Sequence, residues 1–416
     1  MNLIIGKITL MKINTILKKK GLPSFCSSNL IVLDSLMIFC KKNKLPVLIE
    51  TTSNQVNQYG GYSNKTPKKF ISIIKKSAIK RGFDLKRLFF GGDHLGPLPW
   101  KNLNNSKALK NSTKLIKYYI EANYKKIHID TSIKCADDNI LDNKTVYNRT
   151  AYLFKKLNLK KYSNKIFFVF GTEVPLAGGN DHSKIKQTPL SQIEDDYKNF
   201  NKLLIKKKRN IFGLVIEPGM KFMHNSVTKP DLGNFDKKKF FSVKNNFVFE
   251  AHSSDYQPFS VLKKLVKNNF KFLKVGPELT YFLTKSILSM ENFESKIFKK
   301  KSNFSKSLFF EMKKDKKYWT PYFKKKDISF NEILKSKYDR TRYYLETKKV
   351  LLSIKKLKKN FNSIDIIKFI NLFSKKEKKF ILKIKNELNL NNFETINYYY
   401  LYNIFNKYYK ACGFKI

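Results

Sequence analysis

Eight short apolar, β-rich runs recur along this chain, and each is followed by polar or glycine residues and then by a longer stretch of helical periodicity. The predicted strands are Leu22–Cys26, Pro46–Thr51, Arg87–Asp93, Lys126–Asp130, Lys165–Glu173, Ile211–Glu217, Asn246–His252 and Phe270–Val275. Helical segments are predicted at Leu30–Lys41, Pro67–Lys80, Ser106–Ala122, Val146–Leu157, Leu190–Lys206 and Phe259–Lys267, with an irregular connection over 221–244. A strand that returns through a helix pairs parallel to its predecessor, and near-continuous apolar strands imply burial on both faces. Eight such units predict a closed TIM (β/α)8 barrel. The competing arrangement is a doubly wound open sheet, but no GxGxxG follows the first strand to support a dinucleotide site.

Beyond Met290 the pattern changes to charged helical segments rich in aromatics, such as Tyr318-Trp319, Tyr343-Tyr344 and Tyr398-Tyr399-Tyr400. The predicted organisation is an N-terminal extension (1–20), a barrel (21–292) and a helical C-terminal region (293–416) packed on the barrel. The lysines within 355–359 and 375–379 read as solvated faces. Met11 is as good a start as Met1.

Active sites of such barrels form at the carboxyl ends of the strands, and here those ends are polar. Strand two ends in Glu50 and runs into the amide-rich Ser53-Asn54-Gln55-Val56-Asn57-Gln58, strand three ends in Gly91-Gly92-Asp93-His94, and strand four in His128 and Asp130. Strand five ends in Gly171-Thr172-Glu173, strand six in Glu217-Pro218-Gly219, strand seven in Glu250-Ala251-His252-Ser253-Ser254-Asp255, and strand eight in Lys274-Val275-Gly276-Pro277. A polar run is expensive to bury without partners, so these ends predict a polar pocket over the barrel mouth, with Asn54, Gln55 and Asn57 in its wall.

His94, Glu173 and His252 come from strands three, five and seven and offer two imidazoles and a carboxylate, a known zinc ligand set. A divalent ion there would polarise a carbonyl or enediolate oxygen, with Asp93 placed to move a proton and Glu50 and Asp130 as further catalytic candidates. The alternative is a hydrogen-bonded network without metal. His182, in a Gly178-Gly179-Asn180 loop, reads as surface, and His224 as a pocket candidate. Phosphate recognition needs backbone N–H groups, small hydroxyls and a cation. Ser253, Ser254 and Gly276 offer the first two, and Arg340 with Arg342 the third; the alternative for the arginines is an ion pair with Asp339.

The net charge of +52 raises nucleic acid as a partner, but only six of the 84 basic residues are Arg and the lysines are spread from end to end. Together with abundant Asn, Ile, Phe and Tyr this reads as the coding bias of an AT-rich genome. Cys26, Cys40, Cys135 and Cys412 form no CxxC pair. With no membrane-length apolar stretch, the expectation is a cytoplasmic protein with neither a membrane nor a nucleic-acid partner.

Six segments together carry a family resemblance: 50–62, Gly91-Gly92-Asp93-His94-Leu95-Gly96-Pro97, Lys126-Ile127-His128-Ile129-Asp130, Gly171-Thr172-Glu173-Val174-Pro175, Glu250-Ala251-His252-Ser253-Ser254-Asp255-Tyr256-Gln257 and Leu273-Lys274-Val275-Gly276-Pro277. On these residues the chain resembles the non-catalytic subunit of class II tagatose-bisphosphate aldolase, a family long labelled as tagatose-6-phosphate kinases. The resemblance implies a partner role in tagatose 6-phosphate catabolism: binding a catalytic aldolase subunit and keeping it stable and active. The catalytic subunit uses an Asp-His pair resembling Asp93-His94 and a His resembling His252, but has a His ligand where this chain has Glu173. That departure speaks against aldolase activity of this chain alone. A metal-dependent ketohexose-6-phosphate 4-epimerase is the alternative the resemblance leaves open. No Walker A sequence or kinase glycine-rich loop supports the kinase label.

Overall fold

The computed structural model describes residues 12–171, 186–204, 211–233, 235–323 and 328–416. Its centre is a closed barrel of eight parallel strands: β1 (Leu22–Cys26), β2 (Val47–Thr52), β3 (Leu88–Leu95), β4 (Lys126–Ile129), β5 (Phe167–Phe170), β6 (Gly213–Val215), β7 (Val248–Ala251) and β8 (Phe270–Val275). Sequential strands are neighbours throughout, and β1 closes the ring by pairing with both β2 and β8. A helix follows every strand, from Leu30–Lys42 after β1 to Pro277–Ile297 after β8. The predicted TIM barrel is the observed fold.

Alternation along each strand sorts side chains into two cores. Phe25, Ile49, Phe90, Ile127, Phe168 and Leu273 belong to the core shared with the helices. The alternate residues Leu22, Leu48, Phe89, Phe167, Val248 and Phe272 form a separate apolar cluster inside the barrel, and Ile13 and Leu17 of the helical stretch 12–19 pack into it from below. Two residues further along, the same inward rows carry Glu50, Glu250 and Lys274 in place of hydrocarbon. The barrel thus has an apolar floor and a charged upper storey.

β3 runs two residues beyond its predicted end. Its pairing with β4 shifts between Gly92 and Leu95, and His94 adopts a left-handed φ of 48°. Such an irregularity breaks strict alternation and re-aims a side chain, which is how the adjacent Asp93 and His94 both reach the site. Immediately afterwards the β3 and β4 backbones nearly touch: a Cβ on Gly96 would lie 1.6 Å from the Asp130 carbonyl oxygen, so only glycine fits.

The irregular sixth connection contains a two-stranded hairpin (Lys221–Phe222 with Val227–Thr228) and the helix Asp236–Lys244. Predicted residues 172 and 173 of strand five, and 205 and 206 of the following helix, lie outside the described residues. The helix Pro277–Ile297 runs unbroken through position 292/293, where the sequence suggests a boundary. One hydrophobic core includes Phe25 of β1 together with Phe405 and Tyr409 of the last helix, Asn392–Ala411. Among the described residues, no helix is long and apolar enough to cross a membrane.

Candidate functional site

A buried ionic layer lies under the mouth. Lys126, fully buried on β4, places its Nζ 2.6 Å from both Glu50 Oε1 and Glu250 Oε2. Burial alone would lower the Lys126 pKa, but Glu250 and Glu50 outweigh it and hold the ammonium charged. Burial raises Glu50 to about 7, whereas Glu250 is held down, against its own burial, by Lys126 and by the hydrogen bond from His252.

Above this layer Asp93 gathers four partners. It accepts from His128 Nδ1 at 2.9 Å and from Lys274 Nζ, and His94 Nε2 and His252 Nε2 stand 3.6 and 3.7 Å away. Although burial alone would raise it, His94, Lys274 and His128 hold its carboxyl well below the usual range. A carboxylate so deep and so engaged anchors cations and is a poor proton acceptor. His94, unlike Asp93, lines the cavity above. His94 Nδ1 lies 2.7 Å from Asp130 Oδ2, and Asp130 also accepts from the Ser132 backbone N–H at 2.9 Å and the Ser132 hydroxyl at 2.6 Å. Asp130 is held at about 2 against its burial by the His94 contact.

The histidine tautomers follow from their acceptors. Ionised Glu250 accepts from His252 Nε2 at 2.9 Å, which leaves Nδ1 as the lone-pair nitrogen. For His128 the 2.9 Å contact to Asp93 outranks a 3.3 Å approach from the His94 backbone N–H, so Nδ1 carries the proton and Nε2 the lone pair. Both lone-pair nitrogens, His252 Nδ1 and His128 Nε2, are buried without a hydrogen-bond partner. Burial and the Lys274 charge hold His252 neutral, down to about 3. One ligand atom from each of Asp93, His94, His128 and His252 lies within 4.8 Å of the others, a donor set that could hold a metal ion.

His94, His252 and Lys274 line a cavity of about 150 Å³, roofed by Tyr322, Arg340 and Arg342 from the C-terminal region. Asn54, Gln55, Ser253 and Gly276 also line it, as the sequence suggests. Arg340 is fully buried, with its guanidinium over the Tyr322 ring, and Arg342 donates to the Tyr338 and Asp339 carbonyls, both at 2.7 Å.

Several predicted site residues serve elsewhere. Glu50 and Asp93 are fully buried beneath the cavity. Asn57 holds its own loop, accepting from Tyr59 N and Gly61 N and donating to Ser53 O. Ser254 Oγ donates to the Lys274 carbonyl at 2.6 Å and meets Tyr408 Oη at 3.2 Å, facing the last helix rather than the cavity. The Gly276 N–H is committed to Asp255 Oδ1, which also accepts from Glu278 N, so a carboxyl oxygen of the protein already takes the acceptor position at this helix N-terminus. His224 packs against Phe323 and Tyr338 and does not line the cavity. Glu173 and His182 lie outside the described residues.

His128, Lys126 and Lys274 belong to the site cluster, and the sequence alone suggests no role for them. Counting by twos back from Asp130 gives His128 and Lys126 on the same inward row, and that signal was available.

Fold and site together define a TIM-barrel protein with a cation-compatible imidazole and carboxylate cluster at the carboxyl ends of its strands. Residues 8–413 match the family described as D-tagatose-1,6-bisphosphate aldolase subunit GatZ/KbaZ-like, and the chain belongs to that family. It is 33% identical over 364 residues to the D-tagatose-1,6-bisphosphate aldolase subunit GatZ of Escherichia coli O6:K15:H31 (strain 536 / UPEC), across 83% of this chain and 86% of the relative. The subunit of the same name from Shigella flexneri serotype 5b (strain 8401) is 32% identical over 364 residues, with the same coverage of each chain. Among solved structures, a probable tagatose 6 phosphate kinase from Sinorhizobium meliloti 1021 superposes with a TM-score of 0.81 at 26% identity, covering 94% of this chain and all of the other.

Proposed function

We propose that this chain is the non-catalytic subunit of a class II tagatose-1,6-bisphosphate aldolase, which binds the catalytic subunit and keeps it stable and active. Family membership across residues 8–413 carries this reading. The site supports it in kind, since Asp93 is locked by Lys274 and His128 and so is poorly placed to drive aldol cleavage alone. Cytoplasmic work in carbohydrate catabolism accords with four cysteines that are all free and buried.

Within the same reading, Asp93, His94, His128 and His252 would hold a zinc or similar divalent ion, with Glu173 proposed as a further ligand. When bound, that ion would supply Lewis-acid polarisation of a sugar carbonyl or enediolate oxygen. Arg340, Arg342 and Ser253 would receive the phosphate of a sugar phosphate, with Asn54 and Gln55 also lining the cavity. Purified alone, the chain should not cleave tagatose 1,6-bisphosphate. Mixed with the catalytic subunit, it should raise that subunit's activity and slow its thermal inactivation; a mixture that behaves as the sum of its parts would refute the partner role.

One observation favours a second reading. His94, oriented by Asp130, opens onto the roofed cavity beside Lys274, an arrangement suited to taking the C4 hydroxyl proton as the C3–C4 bond of a ketohexose 6-phosphate breaks to an aldehyde and an enediolate, and to returning it when the bond re-forms on the other aldehyde face, hence to 4-epimerisation. Interconversion of tagatose 6-phosphate and fructose 6-phosphate by the isolated chain, abolished by His94→Ala, would establish it.

A further inference from the structure

Asp93 is the one carboxylate in the four-donor set at the mouth, so an incoming divalent ion depends on it for charge neutralisation. Its Oδ2, however, is already paired with the ammonium of Lys274. The two partners differ in freedom. Asp93 is fully buried and tied to His128 on its other oxygen, whereas Lys274 is 12% exposed, lines the cavity and has a four-carbon stem that can swing into it. Register places Lys274 beside Ser24 of β1, and Ser254 Oγ clasps its carbonyl at 2.6 Å, so the backbone stays fixed while the head group can move. Lys126 cannot stand in for it, because it already bridges Glu50 and Glu250 one layer below.

We propose that Lys274 is a built-in competitor for the metal position, an internal cation that occupies Asp93 and keeps the affinity of the histidine cluster for divalent ions low until it is displaced. The inference rests on the reading of Asp93, His94, His128 and His252 as metal ligands. An ammonium and a divalent ion cannot share one buried carboxylate cheaply, so the ion enters only as the ammonium leaves. Asp93 thereby keeps a cationic partner with or without metal.

Titration of the full-length, metal-free chain with Co2+, followed by the visible d–d absorption of the bound ion, tests this directly. Lys274→Met and Lys274→Gln should each bind Co2+ at least tenfold more tightly than the wild type, while Lys274→Arg, which keeps the charge, should bind no more tightly. Adding His252→Ala to Lys274→Met should abolish the absorption, and thermal melts should show both single Lys274 neutralisations folded. Equal Co2+ affinity in the wild type and both neutralised variants would overturn the competition and leave the metal reading standing. Absence of cobalt absorption from the wild type and both neutralised variants would overturn the metal reading and the competition with it.

Discussion

At the scale of single residues, the ionic layer under the mouth is held by one side chain. Lys126 offsets the charge of two carboxylates, Glu50 and Glu250, all three fully buried. Removing one partner from a buried ion pair typically costs about 3–5 kcal/mol, because an uncompensated charge remains. Lys126→Met should therefore destabilise the protein by at least that much in urea unfolding, and Lys126→Met with Glu250→Gln should recover part of the loss. Asp255 allows a prediction of pH dependence. Burial raises its carboxyl from 3.8 to about 7, with the Glu278 charge adding to the effect. Between those values the folded state keeps a proton that the unfolded chain has released, so Asp255 contributes stability that is present below about pH 4 and lost as pH rises through about 7. Its share is roughly 4 kcal/mol at most. Asp255→Asn keeps the acceptor for Gly276 N and Glu278 N but cannot ionise, and it should visibly flatten the fall in unfolding free energy measured between pH 5 and pH 8. An unchanged slope would show that Asp255 titrates normally. The sequence displayed the polarity of these positions but not their roles: Asp255 and Ser254 read as candidates for a ligand, and only three-dimensional packing shows that a helix N-terminus and Tyr408 already occupy them.

At the scale of elements, near-continuous apolar runs made the strands legible, because both faces of each strand are buried, Leu48 inward and Ile49 outward. Where alternation fails, reading by pattern fails with it. The irregularity at the end of β3 brings Asp93 and His94 to one site from consecutive positions, whereas β4 alternates regularly and puts Lys126 and His128 in phase with Asp130. The last helix, Asn392–Ala411, packs on the barrel as its sequence suggests, though which residues make the contact was not legible. Phe405 sits edge-on to Phe25 of β1, with ring centroids 5.6 Å apart, and equally close to Phe39 of the first barrel helix. A buried Phe truncated to Ala costs about 3–5 kcal/mol where neighbours cannot collapse into the space. Phe405→Ala should lose stability in that range and should destabilise the barrel and the C-terminal helices together, giving one coincident transition by tyrosine fluorescence and far-ultraviolet circular dichroism. Two separated transitions would show that the C-terminal region folds independently.

At the scale of the whole molecule, the excess of 84 basic over 32 acidic residues has to be tolerated by the fold. Several of the acids are turned inward, with Glu50, Asp93, Asp130 and Glu250 all buried around the site, so the surface is more one-sided than the composition alone suggests. Self-repulsion of this kind opposes the compact state and is screened by salt over a Debye length of about 8 Å at physiological ionic strength. The melting temperature should therefore rise as sodium chloride is increased from about 20 to about 300 mM, the opposite of what a surface stabilised by exposed ion pairs would show. The helix Lys348–Asn362 gives a local version of the same test. Lys355, Lys356, Lys358 and Lys359 are all exposed on it, and Lys355 precedes Lys359 by one helical turn. Lys355→Glu replaces a repulsive pair with a Glu-to-Lys pair in the favourable order, worth about 0.3–0.5 kcal/mol, and also removes charge from the surface. The variant should melt higher than the wild type at low salt, and the difference should shrink towards zero at high salt. A gain that persists undiminished in 300 mM salt would mean that helix propensity, not charge, limits this face, and that the lysine excess is thermodynamically silent.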